Sequence, residues 1–200
     1  QVDPAVLIPR VETEELVDWI LTDVPATAPV RLLDVGTGSG AIALAIKHER
    51  PAWEITASDI STAALQVAKA NADRLHLDVK LVHSDLLTSV SAQPFDIIVS
   101  NPPYIAASEK DVMDASVLAH EPQTALFADH DGLALYEQLA TTVADHLTST
   151  GRLYLEFGYH QGPALQTLFA QSMPDATVTL RQDMAGHDRM LRVAMTLTRQ

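Results

Sequence analysis

Between Phe95 and Tyr104 the chain reads Phe-Asp-Ile-Ile-Val-Ser-Asn-Pro-Pro-Tyr, and this run restricts the fold more than any other. Phe95 and Ile97 to Val99 form a short apolar run of the kind found in a strand covered on both faces. Two prolines then end the strand, because each fixes φ and removes an N–H. The side-chain amide of Asn101, the carbonyl of Pro102, the ring of Pro103 and the ring of Tyr104 are thereby held at the C-terminal end of a strand. Open α/β sheets bind ligands at that end.

A second stretch upstream stands in the relation such a sheet requires. Val30 to Val35 reads as a strand, followed by Gly36-Thr37-Gly38-Ser39-Gly40 and a helix from Ala41 to about Glu49. Strand, glycine-rich turn and helix make the first half of a nucleotide-type βαβ unit. The glycines allow backbone to approach a ligand, and free N–H groups at the helix start are expected to face it. The spacing G-x-G-x-G is one residue tighter than the dinucleotide fingerprint. Glu54 to Ser58 predicts the second strand, with Asp59 at its end. An acid about 20 residues beyond the glycine turn is where such folds hold ribose hydroxyls, which need an acceptor without a proton. Asp59 could instead cap a helix, but Ser61 is the better cap, which leaves Asp59 free. Ser61 to about Leu75 predicts a helix and Val79 to His83 the third strand. Ser84-Asp85-Leu86 then lies at that strand's end, a place for contacts to an adenine ring.

The rest of the chain alternates in the same way. Pro9 ends a short apolar segment, Ala5 to Ile8, and Thr13 is expected to cap a helix beginning near Glu14. Residues 105–123 lack a clean periodicity and hold Glu109, Asp111, Asp114 and Glu121. They read as part of the substrate wall or a lid. Asp129-His130-Asp131-Gly132 reads as a polar turn before a helix rather than a metal site, since no partner cluster accompanies it. Leu133 to Leu147 predicts a long amphipathic helix with Gly151 as its C-terminal cap. Leu153 to Gly158 is the fifth strand and Pro163 to Gln171 a further helix. Thr177 to Arg181 and Arg189 to Thr196 alternate with no helix between them, so they form a terminal antiparallel hairpin turning at 183–188.

At 200 residues, 47% hydrophobic and 20% charged, the chain is globular and about one domain in size. Its 13 Lys and Arg stand against 26 Asp and Glu, a formal charge of −13, which disfavours direct nucleic-acid or anionic-membrane partners. There is no cysteine, hence no disulfide and no thiolate metal site, which suits a reducing cytoplasm. No apolar run approaches the roughly 18 residues needed to cross a bilayer. The start, Gln1-Val2-Asp3-Pro4, has neither an initiator Met nor a signal-peptide pattern, and reads as the interior of a longer protein.

With the β-α alternation, the glycine turn, the acid after strand two and Asn-Pro-Pro-Tyr after strand four, the chain resembles a class I S-adenosylmethionine-dependent methyltransferase. That implies a Rossmann-like, mostly parallel seven-stranded α/β sheet with a C-terminal antiparallel hairpin and helices on both faces. Longer stretches resemble the HemK (PrmC) family. These are Leu7-Ile8-Pro9-Arg10-Val11-Glu12-Thr13-Glu14, Asp34-Val35 with the glycine turn, Val99-Ser100-Asn101-Pro102-Pro103-Tyr104-Ile105 and Glu121-Pro122 with Ala125-Leu126. Asp131-Gly132-Leu133, Glu156-Phe157-Gly158 and Asp188-Arg189 extend the match. The resemblance departs at Val11, where the family usually has proline, and at Phe127-Ala128-Asp129, which replaces a glycine-containing turn.

The resemblance implies a protein-(glutamine-N5) methyltransferase acting on peptide-chain release factors. Its cofactor would be S-adenosyl-L-methionine, released as S-adenosyl-L-homocysteine. Residues 1–29 would form a lead-in segment and helix and 30–200 the catalytic core; the family's N-terminal helical substrate-binding domain would lie outside this chain. A monomer is expected. By resemblance Gly36, Thr37, Gly38, Ser39, Gly40, Asp59, Leu86 and Asn101 line the cofactor site, with Thr13 nearby. Asn101, Pro102, Pro103 and Tyr104 would meet the substrate, with Asn101, Pro102 and Tyr104 catalytic. The chemistry suits these residue types. An amide nitrogen is a poor nucleophile, and two acceptors aimed at its hydrogens orient it and enrich it in electron density. The same pair suits the amino group of adenine or guanine, a rival substrate class that the acidic charge disfavours. A non-catalytic cofactor-binding partner domain is a third reading, against which stand the intact glycines, Asp59 and Asn101.

Overall fold

The computed structural model describes residues 1–112, 117 and 121–196; Asp114, noted above in the wall segment, lies outside them. A seven-stranded sheet carries the fold, in the order β3-β2-β1-β4-β7-β9-β8. Its strands are β1 (Arg31–Val35), β2 (Glu54–Asp59), β3 (Lys80–His83), β4 (Phe95–Ser100), β7 (Leu147–Glu156), β8 (Ala176–Gln182) and β9 (Asp188–Met195). The first five pair in parallel, and β9 runs antiparallel to both β7 and β8. The closing hairpin therefore forms as the alternating pattern predicts. Two short strands, β5 (Ile105–Ala106) and β6 (Phe127–Ala128), pair in parallel outside the main sheet.

Side chains alternate across the sheet, and helices cover both faces. Leu32, Ile97 and Val99 point to a layer built by α1 (Val11–Asp23) and α2 (Ala41–Glu49), with Leu16, Ile20, Ala43, Ile46 and Trp53. Leu33, Ile98 and Leu153 point to the opposite layer, from α4 (Ala134–Thr142) and α5 (Gly162–Ser172), with Tyr136, Leu139, Leu165 and Phe169. Burying each central aliphatic side chain contributes about 2 kcal/mol. α3 (Thr62–Leu75) packs on β2 and β3. The chain leaves β1 towards β2 on one side and returns to β4 on the other. The switch point between β1 and β4 is where such sheets open a crevice beyond the strand ends.

Three local expectations are corrected. α1 starts at Val11 with Arg10 at its N-cap, so Thr13 is not a cap; it lies buried one turn in, and its N–H already bonds to the Arg10 carbonyl. The helix after Leu133 ends at Thr142 and continues as a 3-10 turn through His146. Gly151 therefore caps nothing and sits within β7, because Leu147 already pairs with Phe95 of β4 and draws the chain into the sheet. Residues 105–123 are not wholly irregular either, since β5 and a 3-10 helix over Ala107–Val112 occupy their first part.

Candidate active site

The glycine turn is tied down in part, chiefly by the neighbouring strand ends of β1 and β2. The amides of Gly36 and Thr37 both donate to the Ser58 carbonyl, at 2.8 and 2.9 Å, and the Gly40 amide donates to the Thr37 carbonyl. Asp34, fully buried, accepts from the Thr37 hydroxyl at 2.6 Å and from the Ala43 amide at 3.2 Å. Burial pushes the Asp34 carboxyl up to about 7, against the lowering effect of those two bonds. The expectation of free amides facing a ligand is thus corrected in part. Of the turn and the helix start, only the amides of Ser39, Ala41 and Ile42 donate to no described residue. Gly36 and Gly38 take φ of +72° and +55°, and a Cβ at either would project into open space. That space is a cradle which side chains would fill.

Asp59 closes one side of the cradle. Its two oxygens accept from the amides of Gly38, at 2.9 Å, and Ser61, at 2.8 Å. Ser61 is the N-cap of α3, accepting from the Ala64 amide. Asp59 is therefore spared capping but is not idle. A carboxylate accepts about four hydrogen bonds, so two positions remain for a diol. Beyond β3, Leu86 adopts φ +46°, in the left-handed region that bulky residues avoid. The hydroxyl of Ser84 donates to the Leu86 carbonyl at 3.0 Å and holds it there.

The Asn-Pro-Pro corner stands opposite, at the end of β4. The Asn101 Nδ2 donates to Thr13 Oγ1 at 3.2 Å, and that hydroxyl donates to Glu156 Oε2 at 2.7 Å. Asn101 Oδ1 and the Pro102 carbonyl accept from no described residue. Glu156 ends β7 and is 1% exposed. Burial drives its carboxyl up to about 7, opposed by the Thr13 hydroxyl, the Arg189 charge and the Asn101 amide, with Glu12 adding to the rise. The Tyr104 carbonyl accepts from Gln161 Nε2 at 2.9 Å, and the same amide nitrogen reaches the Asp131 carbonyl. Gly132, at φ +81°, passes so close that a Cβ would collide with the Tyr104 carbonyl.

A cavity of about 500 Å³ joins these parts, within the size range of small-molecule sites. Gly36, Thr37, Gly38, Ser39, Asp59, Leu86, Asn101, Pro102, Pro103 and Thr13 all line it. Gly40 and Tyr104 do not. A Cβ on Gly40 would press on Leu44 and Ala68, so that glycine lets helices approach. Tyr104 packs against the apolar layer under α4, and burial raises its hydroxyl to about 12. The wall segment contributes Ala107 and Pro122, and Thr124 and Ala125 just beyond it also line the cavity. Sequence reasoning gave no role to Glu156 or Gln161. The first left a signal, a lone acid inside the apolar run Leu153-Tyr154-Leu155-Glu156-Phe157. Gln161 left none, because its partners lie at positions 104 and 131.

The family model for the Methyltransferase small domain matches residues 16–178. A release factor glutamine methyltransferase of Lactococcus lactis is 47% identical over 193 residues, 96% of this chain and 71% of its own. One from Streptococcus pneumoniae is 48% identical over 193 residues, 96% of this chain and 68% of its own. Among solved structures, the hMettl16 catalytic domain in complex with an RNA hairpin superposes with a TM-score of 0.75 at 18% identity, covering 100% of this chain and 76% of that one. This last likeness speaks for the fold, a class I methyltransferase sheet. The closeness of the sequences, sustained along almost the whole chain, goes further: the chain belongs to the release factor glutamine methyltransferase family.

Proposed function

We propose that this domain methylates the side-chain amide nitrogen of a glutamine in a peptide-chain release factor, using S-adenosyl-L-methionine. The observation that carries the reading is the pair of acceptors, Asn101 Oδ1 and the Pro102 carbonyl, that take no hydrogen bond from any described residue and lie on the wall of a cavity floored by the glycine turn. The open cradle above Gly36 and Gly38, and the spare acceptor positions of Asp59, fit a nucleoside carrying a short charged tail. When bound, the cofactor would supply a sulfonium methyl group, and the new carbon–nitrogen bond would form at the expense of its carbon–sulfur bond.

The protein's part is to orient the nucleophile. Asn101 Oδ1 and the Pro102 carbonyl each take one hydrogen of the substrate –NH₂, which leaves the nitrogen lone pair directed away from them and free to react in the cavity. Both acceptors sit on a strand end that two prolines hold rigid, so little reorganisation accompanies the step. Alignment of this kind is worth about 7–11 kcal/mol. The nitrogen sheds one proton to solvent after transfer, leaving a neutral N5-methylglutamine. Pro103 shapes the same wall. Tyr104, which we assign to the substrate side, backs the corner from behind. The release factor is the partner and the domain acts on it as a monomer. At −13 the chain is poorly suited to gripping a polyanion, which favours a protein over a nucleic-acid substrate. Among the described residues no helix is long and apolar enough to cross a membrane, and we place the activity in the cytoplasm. Mass spectrometry of a release factor incubated with the protein and labelled cofactor tests the reading. One methyl on a glutamine is expected, and label on any other residue type rejects it.

A further inference from the structure

We propose that the buried carboxylate of Glu156, acting through the hydroxyl of Thr13, decides which end of the Asn101 amide faces the reaction cavity. The proposal rests on the function given above. Its basis is the three-membered chain from Glu156 Oε2 through Thr13 Oγ1 to Asn101 Nδ2, at 2.7 and 3.2 Å.

A threonine hydroxyl has one hydrogen to give. An ionised carboxylate can only accept, so Thr13 must spend that hydrogen on Glu156. Thr13 can then only accept from Asn101, which fixes the –NH₂ end of the amide towards Thr13. The oxygen end is left for the cavity, and it is the oxygen that a substrate –NH₂ requires. If Glu156 carries a proton, the order inverts. The acid donates to Thr13, the threonine hydrogen is released to Asn101 Oδ1, and the amide turns over. It then presents N–H to the N–H groups of the substrate, a repulsive pairing. Glu156 is thus a positioning residue.

The surroundings set where this inversion falls. Glu156 is faced by Glu12 and Thr13 from α1, by Arg189 from β9 and by Asn101 and Tyr104 from the turn after β4. From α4, the Tyr136 hydroxyl donates to its main-chain carbonyl at 2.7 Å and makes no hydrogen bond to the carboxylate, whose charge it nonetheless feels. Burial outweighs the help of Arg189 and lifts the carboxyl to about 7. The working orientation therefore holds above that pH and is lost below it.

Two measurements test this on the same protein. In the first, kcat for methyl transfer to a release factor is followed from pH 5.5 to 9. The wild type should lose about tenfold per pH unit below a midpoint near 7. Glu156→Gln should lack that midpoint and run roughly 10–100-fold slower at high pH, the usual cost of removing an orienting partner. Thr13→Val should behave like it, while Thr13→Ser restores most of the rate. The KM for cofactor should change less than about threefold in Glu156→Gln, since Glu156 does not line the cavity. In the second, the ¹⁵N-labelled side-chain amide of Asn101 is followed by NMR without substrate. Its resonances should move with a midpoint near 7 in the wild type and stay fixed in Glu156→Gln. An unchanged pH profile in Glu156→Gln, a fully active Thr13→Val, or a pH-silent Asn101 amide overturns the proposal. A pH-responsive amide in a protein that methylates no release factor supports the switch while removing the proposed substrate.

Discussion

Two buried carboxylates flank the central strand β4, and they resemble each other closely. Asp34 lies near the end of β1 and Glu156 ends β7; they are 0% and 1% exposed. Each accepts from a threonine hydroxyl, Thr37 at 2.6 Å and Thr13 at 2.7 Å, and burial lifts each to about 7. They differ in what lies next. The other bond of Asp34 comes from the Ala43 amide, a backbone group that cannot turn. The chain from Glu156 runs on to the side-chain amide of Asn101, which can. The same local chemistry therefore fixes a loop at one strand end and leaves a rotatable group under control at the other. A buried acid reads as scaffold or as machinery according to the freedom of the group it finally holds.

The largest effect should come from the machinery side. Asn101→Ala should lower kcat by about 100–1000-fold, the scale of losing one positioned hydrogen-bonding group, while cofactor still binds in calorimetry. Wild-type turnover would remove Asn101 from the reaction. Next comes Asp34→Ala, which strands the Thr37 hydroxyl and the Ala43 amide in the interior. Urea unfolding should show a loss of about 3 kcal/mol; a loss below about 1 kcal/mol would deny Asp34 its scaffold role.

The third prediction concerns pH and stability. A carboxyl whose folded value is raised keeps its proton when the unfolded chain has released it. Its contribution is fully present below about 4.5 for Glu156 and disappears as pH climbs to about 7. Wild-type stability should accordingly decline across that window, and Glu156→Gln should flatten the decline by up to ~3 kcal/mol. Parallel slopes in urea titrations of the two proteins would show that Glu156 does not titrate as described. Smallest is Thr37→Val, which removes one buried hydrogen bond of Asp34 and should cost about 1 kcal/mol in the same assay. If it cost as much as Asp34→Ala, the Ala43 amide would contribute nothing.

Much of the frame was legible in the residues. The run Ile97-Ile98-Val99 announced a strand buried on both faces, the prolines its end, Ser61 the start of α3, and the alternation after Thr177 the closing hairpin. Each is a short-range signal, in which the atoms responsible are a few positions from the structure they dictate. The misreadings share the opposite cause. Gly151 looked like a helix cap until pairing with Phe95 drew residues 147–156 into the sheet. Thr13 looked like a cap because its partner, Glu156, is 143 positions away.

By itself, then, the sequence settled the principal strands and helices of the main sheet and their order, and proposed most of the walls of the cavity, because backbone restriction by proline and glycine and the burial of apolar periodicities act locally. It could not settle which polar groups in those walls are free. That depends on the spending of a limited number of donors and acceptors among groups as distant as Thr13, Asn101 and Glu156, and a hydrogen bond's partner is chosen only when tertiary packing brings the candidates within 3 Å or so.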